Sequence, residues 1–190
     1  GDPALRVNCD GGGPISAEWM LPKALWLKEH ERETWDASGY VCECQDWINY
    51  KLTNQLVASG CNVAARWHWN STAAALHSIS NSNEEGACEV GRPVSLLRLV
   101  DLEDLLIKWP QKCIPMGAKV GSLTAAAAAH LGLHEGIPVF QGGPDAYVGM
   151  IGLGCVQPGT LALITGSSHL HLAVSNTPRT APGIWGAYDG

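Results

Sequence analysis

Asp145 stands in the stretch QGGPDAYVGMIGLG, residues 141–154, between a glycine pair and an apolar run spaced by glycines. A carboxylate that follows a strand-like segment and opens an apolar helix lies where α/β folds place ligand sites. Free helix amides and the helix dipole also stabilise an acid there. Helix capping and a chemical role therefore both stand open for Asp145. Downstream, Thr165-Gly166-Ser167-Ser168 joins two alternating apolar segments. Such a turn presents successive backbone amides beside three hydroxyls, which suits a phosphate; an ordinary hairpin turn has the same composition.

Other chemistry is poorly supported. There is no G-x-x-x-x-G-K-[ST], and residues 152–159, GLGCVQPG, do not form G-x-G-x-x-G. No G-x-S-x-G elbow points to a serine hydrolase. His130 and His134 are separated by the residues that end their helix, His169 and His171 share one strand face without a third ligand, and Cys42-x-Cys44 lacks a second pair, so no metal ligand set is assigned. Trp67 and Trp69, flanking His68 and preceded by Arg66, form the one aromatic and polar cluster tight enough to suggest a polar ligand.

The elements that must position these residues follow from periodicity. Residues 17–29 read as a helix with Pro22 in its first turn and Trp26 on or near its buried face. Residues 45–52 read as a second helix, with Trp47, Ile48 and Leu52 as core candidates and Asp46 in the first turn. NVAARWHW, residues 62–69, reads as extended, and residues 78–93 as an exposed polar excursion. A short helix fits 101–109, stopped by Pro110, and a longer one runs from a Ser122 cap through the alanine run to Gly132. The alanines fit close helix packing. Strand, apolar helix and a hairpin of 160–165 with 169–174 complete an α/β pattern.

The 190 residues carry a net charge of −6 with 12 basic residues, which argues against a large nucleic-acid or acidic-membrane footprint. An anionic ligand then needs backbone donors or a metal. Seven scattered cysteines read as free thiols in a reducing compartment. No apolar stretch reaches membrane-spanning length. The chain opens Gly-Asp-Pro and stops after an alternating segment, and both ends are expected of a piece of a longer chain.

Taken together, residues 121–175 resemble the lobe junction of the FGGY carbohydrate kinases: Gly142, Gly143, Asp145, Gly152, Gly154, Gly159 and the turn Thr165–Ser168 recur in the family's order. Upstream, Pro22, Lys23, Leu25 and Trp26 resemble its Pro-Lys helix. ECQDWINYKLT resembles its helix ending in Lys-Leu-Thr-Gly, with Asn54 where glycine is usual. CNVAARWHWN is similar to the pentulose-kinase branch, the plant and cyanobacterial D-ribulose kinases in particular.

The resemblance implies an actin/hexokinase-like (ribonuclease H-like) α/β fold, present as a central part of its lobes. Residues 1–136 would form the C-terminal portion of the sugar lobe, and 137–190 the junction and start of the nucleotide lobe. It further implies ATP with Mg²⁺ as cofactors, a small sugar as partner, and transfer of the γ-phosphoryl group to D-ribulose or, alternatively, D-xylulose. Asp145 would be the base, Thr165, Gly166, Ser167 and Ser168 the phosphate contacts, and Arg66, Glu18, Trp19 and Lys23 the sugar contacts. A noncatalytic binding or assembly component derived from a kinase is the competing reading. The resemblance leaves oligomer formation open and suggests the cytoplasm, or the plastid stroma in a photosynthetic eukaryote.

Overall fold

The computed structural model describes residues 2–74, 87–167 and 169–188. Two short 3-10 turns, Pro3–Val7 and Cys9–Gly11, lead to α1, Met20–His30. Pro22 lies in its first turn, where its missing N–H has no intrahelical partner to lose. Leu21 and Ala24 are the buried residues of α1, whereas Trp26 is half exposed and stacks on His30, with centroids 4.7 Å apart. The inward Trp26 expected from periodicity is corrected: α1 presents its small and aliphatic residues to the core.

After α2, Arg32–Ala37, comes α3, Cys44–Thr53, whose amphipathicity is inverted. Asp46, Asn49 and Thr53 are buried while Trp47 and Ile48 are half exposed. Residues three and four apart share a helix face, so burying Asp46 carries Asn49 and Thr53 inward and turns the expected apolar core residues out. Asn54 closes α3 with φ +58° and donates its N–H to Tyr50 O. Asparagine tolerates the left-handed geometry that glycine usually supplies at this position.

A two-residue strand β1, Ala58–Ser59, pairs in parallel with β2, Cys113–Ile114. Between them α4, Gly60–Arg66, starts where Ser59 Oγ accepts the Asn62 N–H. The extended reading of 62–69 thus fails over its first half; the Ser-x-x-Asn start is an N-cap signal. Trp67 and His68, just beyond α4, are buried.

The main core lies in this first region. Trp67 and Trp109 are fully buried and meet edge to face at 4.6 Å, packed with Val63, Leu97, Leu102 and Leu105. The indole N–H of Trp67 donates to Glu43 Oε1 at 2.8 Å, and that of Trp35 to Asp104 Oδ2 at 2.7 Å. Trp69 donates to Cys88 O at 2.8 Å. Trp67 and Trp69 are therefore architectural and form no ligand cluster. Truncating a tryptophan in this setting costs roughly 3–5 kcal/mol.

Most of the polar excursion, 75–86, lies outside the described residues, but its end is the helix Ala87–Val90. Cys88 is joined to Cys113 by a disulfide, so those two are not the free thiols expected; Cys9, Cys42, Cys44, Cys61 and Cys155 are free. The helix read over 101–109 is present in shortened form as Leu105–Lys108, and a further short helix, Val94–Leu99, precedes it.

The second region begins with β3, Lys119–Ser122, antiparallel to β4, Pro138–Phe140. They flank the helix Ala125–Leu131, whose cap is Thr124 rather than Ser122 and whose stop is Gly132 at φ +70°. Ser122 is consumed by the strand. Of the alanine run only Ala128 is buried, so close packing explains little of it, and high intrinsic helix propensity explains the rest. After β4 comes the helix Asp145–Gly152, then the hairpin of β5, Leu161–Thr165, with β6, His169–Ala173.

Candidate functional site

Strand β4 delivers the chain to Asp145 through a four-residue turn. Gln141 donates its backbone N–H to Ala118 O and accepts from Gly117 N–H, each at 2.8 Å, which pins the start of the turn. A Cβ on Gly143 would stand 2.7 Å from Met116 Sδ and 3.7 Å from Cys61 Cβ, so the second glycine serves close approach. Pro144, at φ −56° and ψ 144°, occupies the N-cap and brings the chain in extended.

Asp145 is consequently the first helical residue and not the cap. Its side chain is exposed, and Oδ1 accepts the Ala146 N–H at 2.8 Å. Oδ2 makes no hydrogen bond to a described residue. The carboxylate is thus held at one oxygen on an exposed residue.

Beside it Tyr147 meets Tyr188 edge to face at 6.1 Å. Burial, more than any other cause, pushes both phenols up, Tyr188 to about 12, and Arg66 partly offsets the shift at Tyr147. Both rings therefore stay neutral at physiological pH. Arg66 ends α4, is exposed, and makes no ion pair with a described residue.

The sugar-side candidates gather near the same helix end. Trp19 lies against His68, two residues beyond Arg66, at 5.3 Å, and against Trp185 at 4.9 Å. Glu18 and Lys23 form an exposed ion pair at 3.0 Å, which adds little stability in water. At the other end of α4, Cys61 touches Gly143. The seven residues of α4 span about 9 Å, so one short helix separates the Asp145 turn from Arg66 and Trp19.

Thr165 ends β5, paired with His169, and Gly166 and Ser167 continue as an exposed turn. Ser168 lies outside the described residues. His169 and His171 point to one exposed face. The helix begun by Asp145 packs on β5: a Cβ at Gly149 would be 3.5 Å from Ile164 Cδ1, one residue before Thr165. Four residues of helix, about 6 Å, separate Gly149 from Asp145.

Beneath the turn lies a buried polar cluster that sequence reasoning missed. Gln141, Asp46, Asn49, Ser59 and Asn62 are all buried. Its available signals were the Ser59 cap and the polar residues at 46, 49 and 53, spaced to share a helix face. Among the described residues no three His, Cys, Asp or Glu side chains converge to hold a metal.

With an exposed carboxylate at a strand-to-helix turn and a hydroxyl-lined turn on the adjoining hairpin, the architecture is an α/β fold resembling actin/hexokinase-like kinase lobes. The solved gluconate kinase of Lactobacillus acidophilus shares it, with TM-score 0.70 at 18% identity over 93% of this chain and 32% of that one. No protein-family model matches the chain. The FGGY carbohydrate kinase domain-containing protein of Xenopus laevis is 33% identical over 196 residues, covering 93% of this chain and 32% of its own length. The ribulokinase of Geobacillus thermodenitrificans is 28% identical over 180 residues, covering 94% and 29%. The chain is thus homologous to a stretch of the FGGY carbohydrate kinases, and it spans about a third of the length of these relatives. No helix among the described residues is long and apolar enough to cross a membrane.

Proposed function

We propose that this chain carries the acceptor-activating part of an ATP-dependent pentulose kinase, with D-ribulose the favoured sugar and D-xylulose the alternative. The observation that carries the reading is Asp145 itself: exposed, at the start of a helix, with one carboxylate oxygen held by the Ala146 amide and the other without a partner among the described residues. Homology to ribulokinases supports a ketopentose as acceptor. Residues 1–136 belong to the sugar lobe in this reading, and 137–190 open the nucleotide lobe.

Asp145 accepts the proton of the sugar hydroxyl as that oxygen bonds to the γ-phosphorus; the bond from phosphorus to the β,γ-bridging oxygen breaks, and ADP leaves. ATP supplies the phosphoryl group. Thr165, Gly166, Ser167 and Ser168 contact its phosphates through amides and hydroxyls, since the chain has no cationic cluster to do so. Arg66, Glu18, Trp19 and Lys23 orient the sugar, with the Glu18 and Lys23 charges hydrogen-bonding its hydroxyls. Positioning is most of the catalytic task in phosphoryl transfer, so an ordinary carboxylate is a sufficient base.

The test is ATP-dependent ADP formation by the full chain across D-ribulose, D-xylulose, ribitol and glycerol. Turnover with a ketopentose that Asp145→Asn abolishes is the expected result. Silence with every acceptor would favour a noncatalytic binding component instead.

A further inference from the structure

We infer that Gln141, braced by Asp46 and Ser59, is a positioning residue that fixes the Gly142–Pro144 turn and through it the Asp145 carboxylate. The catalytic consequence rests on the function proposed above; the structural claim stands by itself. Gln141 is 3% exposed and its amide is saturated. Oε1 accepts from Gln45 Nε2 at 2.8 Å, Asn49 Nδ2 at 2.7 Å and Gly142 N–H at 3.1 Å. Nε2 donates to Asp46 Oδ1 and to Val57 O, both at 3.2 Å. Flipping the amide would set its NH₂ against three donors and its oxygen against two acceptors, so one orientation survives.

That orientation reaches the turn directly. Gly142 gives its N–H to Gln141 Oε1, and its carbonyl accepts from Ser59 Oγ at 2.9 Å. Both polar groups of the Gly142 backbone are therefore held by buried side chains. Ser59 in turn donates its backbone N–H to Asp46 Oδ1 at 3.1 Å, the same oxygen that takes the Gln141 amide. One carboxylate oxygen of a residue 1% exposed thus ties together the two residues whose side chains hold Gly142.

Little freedom remains between Gly142 and the base. Gly143 is packed on Met116 and Cys61, and Pro144 fixes its own φ. A fully satisfied buried network is stiff because every displacement strands a donor or acceptor away from water. A misplacement of 1 Å at a reacting group costs on the order of 10²-fold in rate, which sets the value of such bracing.

The experiment compares Gln141→Leu, Ser59→Ala and Ser59→Thr with the wild-type full chain, by amide hydrogen exchange and by steady-state kinetics. Exchange over 142–147 is expected to quicken at least tenfold in Gln141→Leu and Ser59→Ala, with the Leu105–Lys108 helix unchanged, and to return toward wild type in Ser59→Thr. In the kinetics, kcat falls at least tenfold while KM for ketose and ATP stays within twofold. Should Gln141→Leu not fold, the Ser59 pair decides alone. Unchanged exchange over 142–147 in Ser59→Ala, or an active enzyme whose kcat ignores the substitution, overturns the inference. An inactive wild type overturns the proposed kinase activity only, and the exchange arm then decides the positioning claim.

Discussion

Two aspartates open two helices of this chain and meet opposite fates. Asp46, in the first turn of α3, is buried with one oxygen bonded to Ser59 and Gln141 and the other without a partner among the described residues. Asp145, in the first turn of its own helix, faces solvent. Both sequences read as an acid favourable to a helix start. What separates them is the surface each helix is packed against: α3 lies on the strand-to-helix turn itself, so its acid becomes part of the scaffold for the other acid. Asp46 is enclosed by its partners, and Asp145 is left exposed, as the proposed role of proton acceptor requires.

The largest expected effect follows from exchanging the roles. Asp145→Asn should lower turnover by about 10²–10⁴-fold and leave stability within about 0.5 kcal/mol, measured by ADP release and urea unfolding. A variant with near-wild-type turnover breaks the comparison at its catalytic end.

Next comes Asp46. Burial, opposed by the Ser59 and Gln141 hydrogen bonds and reinforced by the charge of Glu43, pushes its carboxyl up to about 7. The unfolded chain ionises it near its ordinary value of about 3.9. Between those limits the folded state binds more protons, so stability falls as pH rises from about 4 through about 7 and then levels. The loss is no more than about 4 kcal/mol. Urea unfolding from pH 4.5 to 8 should show this slope in the wild type and a shallower one in Asp46→Asn. An equal slope in both would remove Asp46 as its source.

Smaller effects sharpen the contrast between exposed and buried groups. Arg66→Ala should raise KM for the ketose about tenfold with KM for ATP unchanged, on the order of 1.4 kcal/mol; an unchanged ketose KM would take Arg66 out of the sugar site. Trp47→Ala should shift stability by no more than about 0.5 kcal/mol, since this indole is half exposed, with Lys51 over its ring at 5.9 Å. Trp67→Ala, by contrast, opens the core.

Much of the second region was legible. Asp145 after a strand, the Gly132 stop and the hairpin around 165–169 all depend on neighbours in sequence, and local rules carried them. The first region was misread where burial mattered. Trp26, Trp47 and Ile48 were placed inward because large apolar residues usually are, yet α3 needed its polar face against Gln141. The aromatic density of 62–69 masks the Ser59 cap, so the local pattern reads as extended where α4 in fact runs to Arg66.

By itself the sequence determined the order of elements around Asp145 and Thr165–Ser168, because turn glycines, prolines and strand alternation act within a few residues. Only the tertiary structure decided that Asp46, Ser59 and Gln141 meet. Their hydrogen bonds join residues separated by 83 positions between Ser59 and Gly142 and by 95 between Asp46 and Gln141. No local propensity encodes such pairs. They form because polar groups cut off from water must find partners within the packed chain.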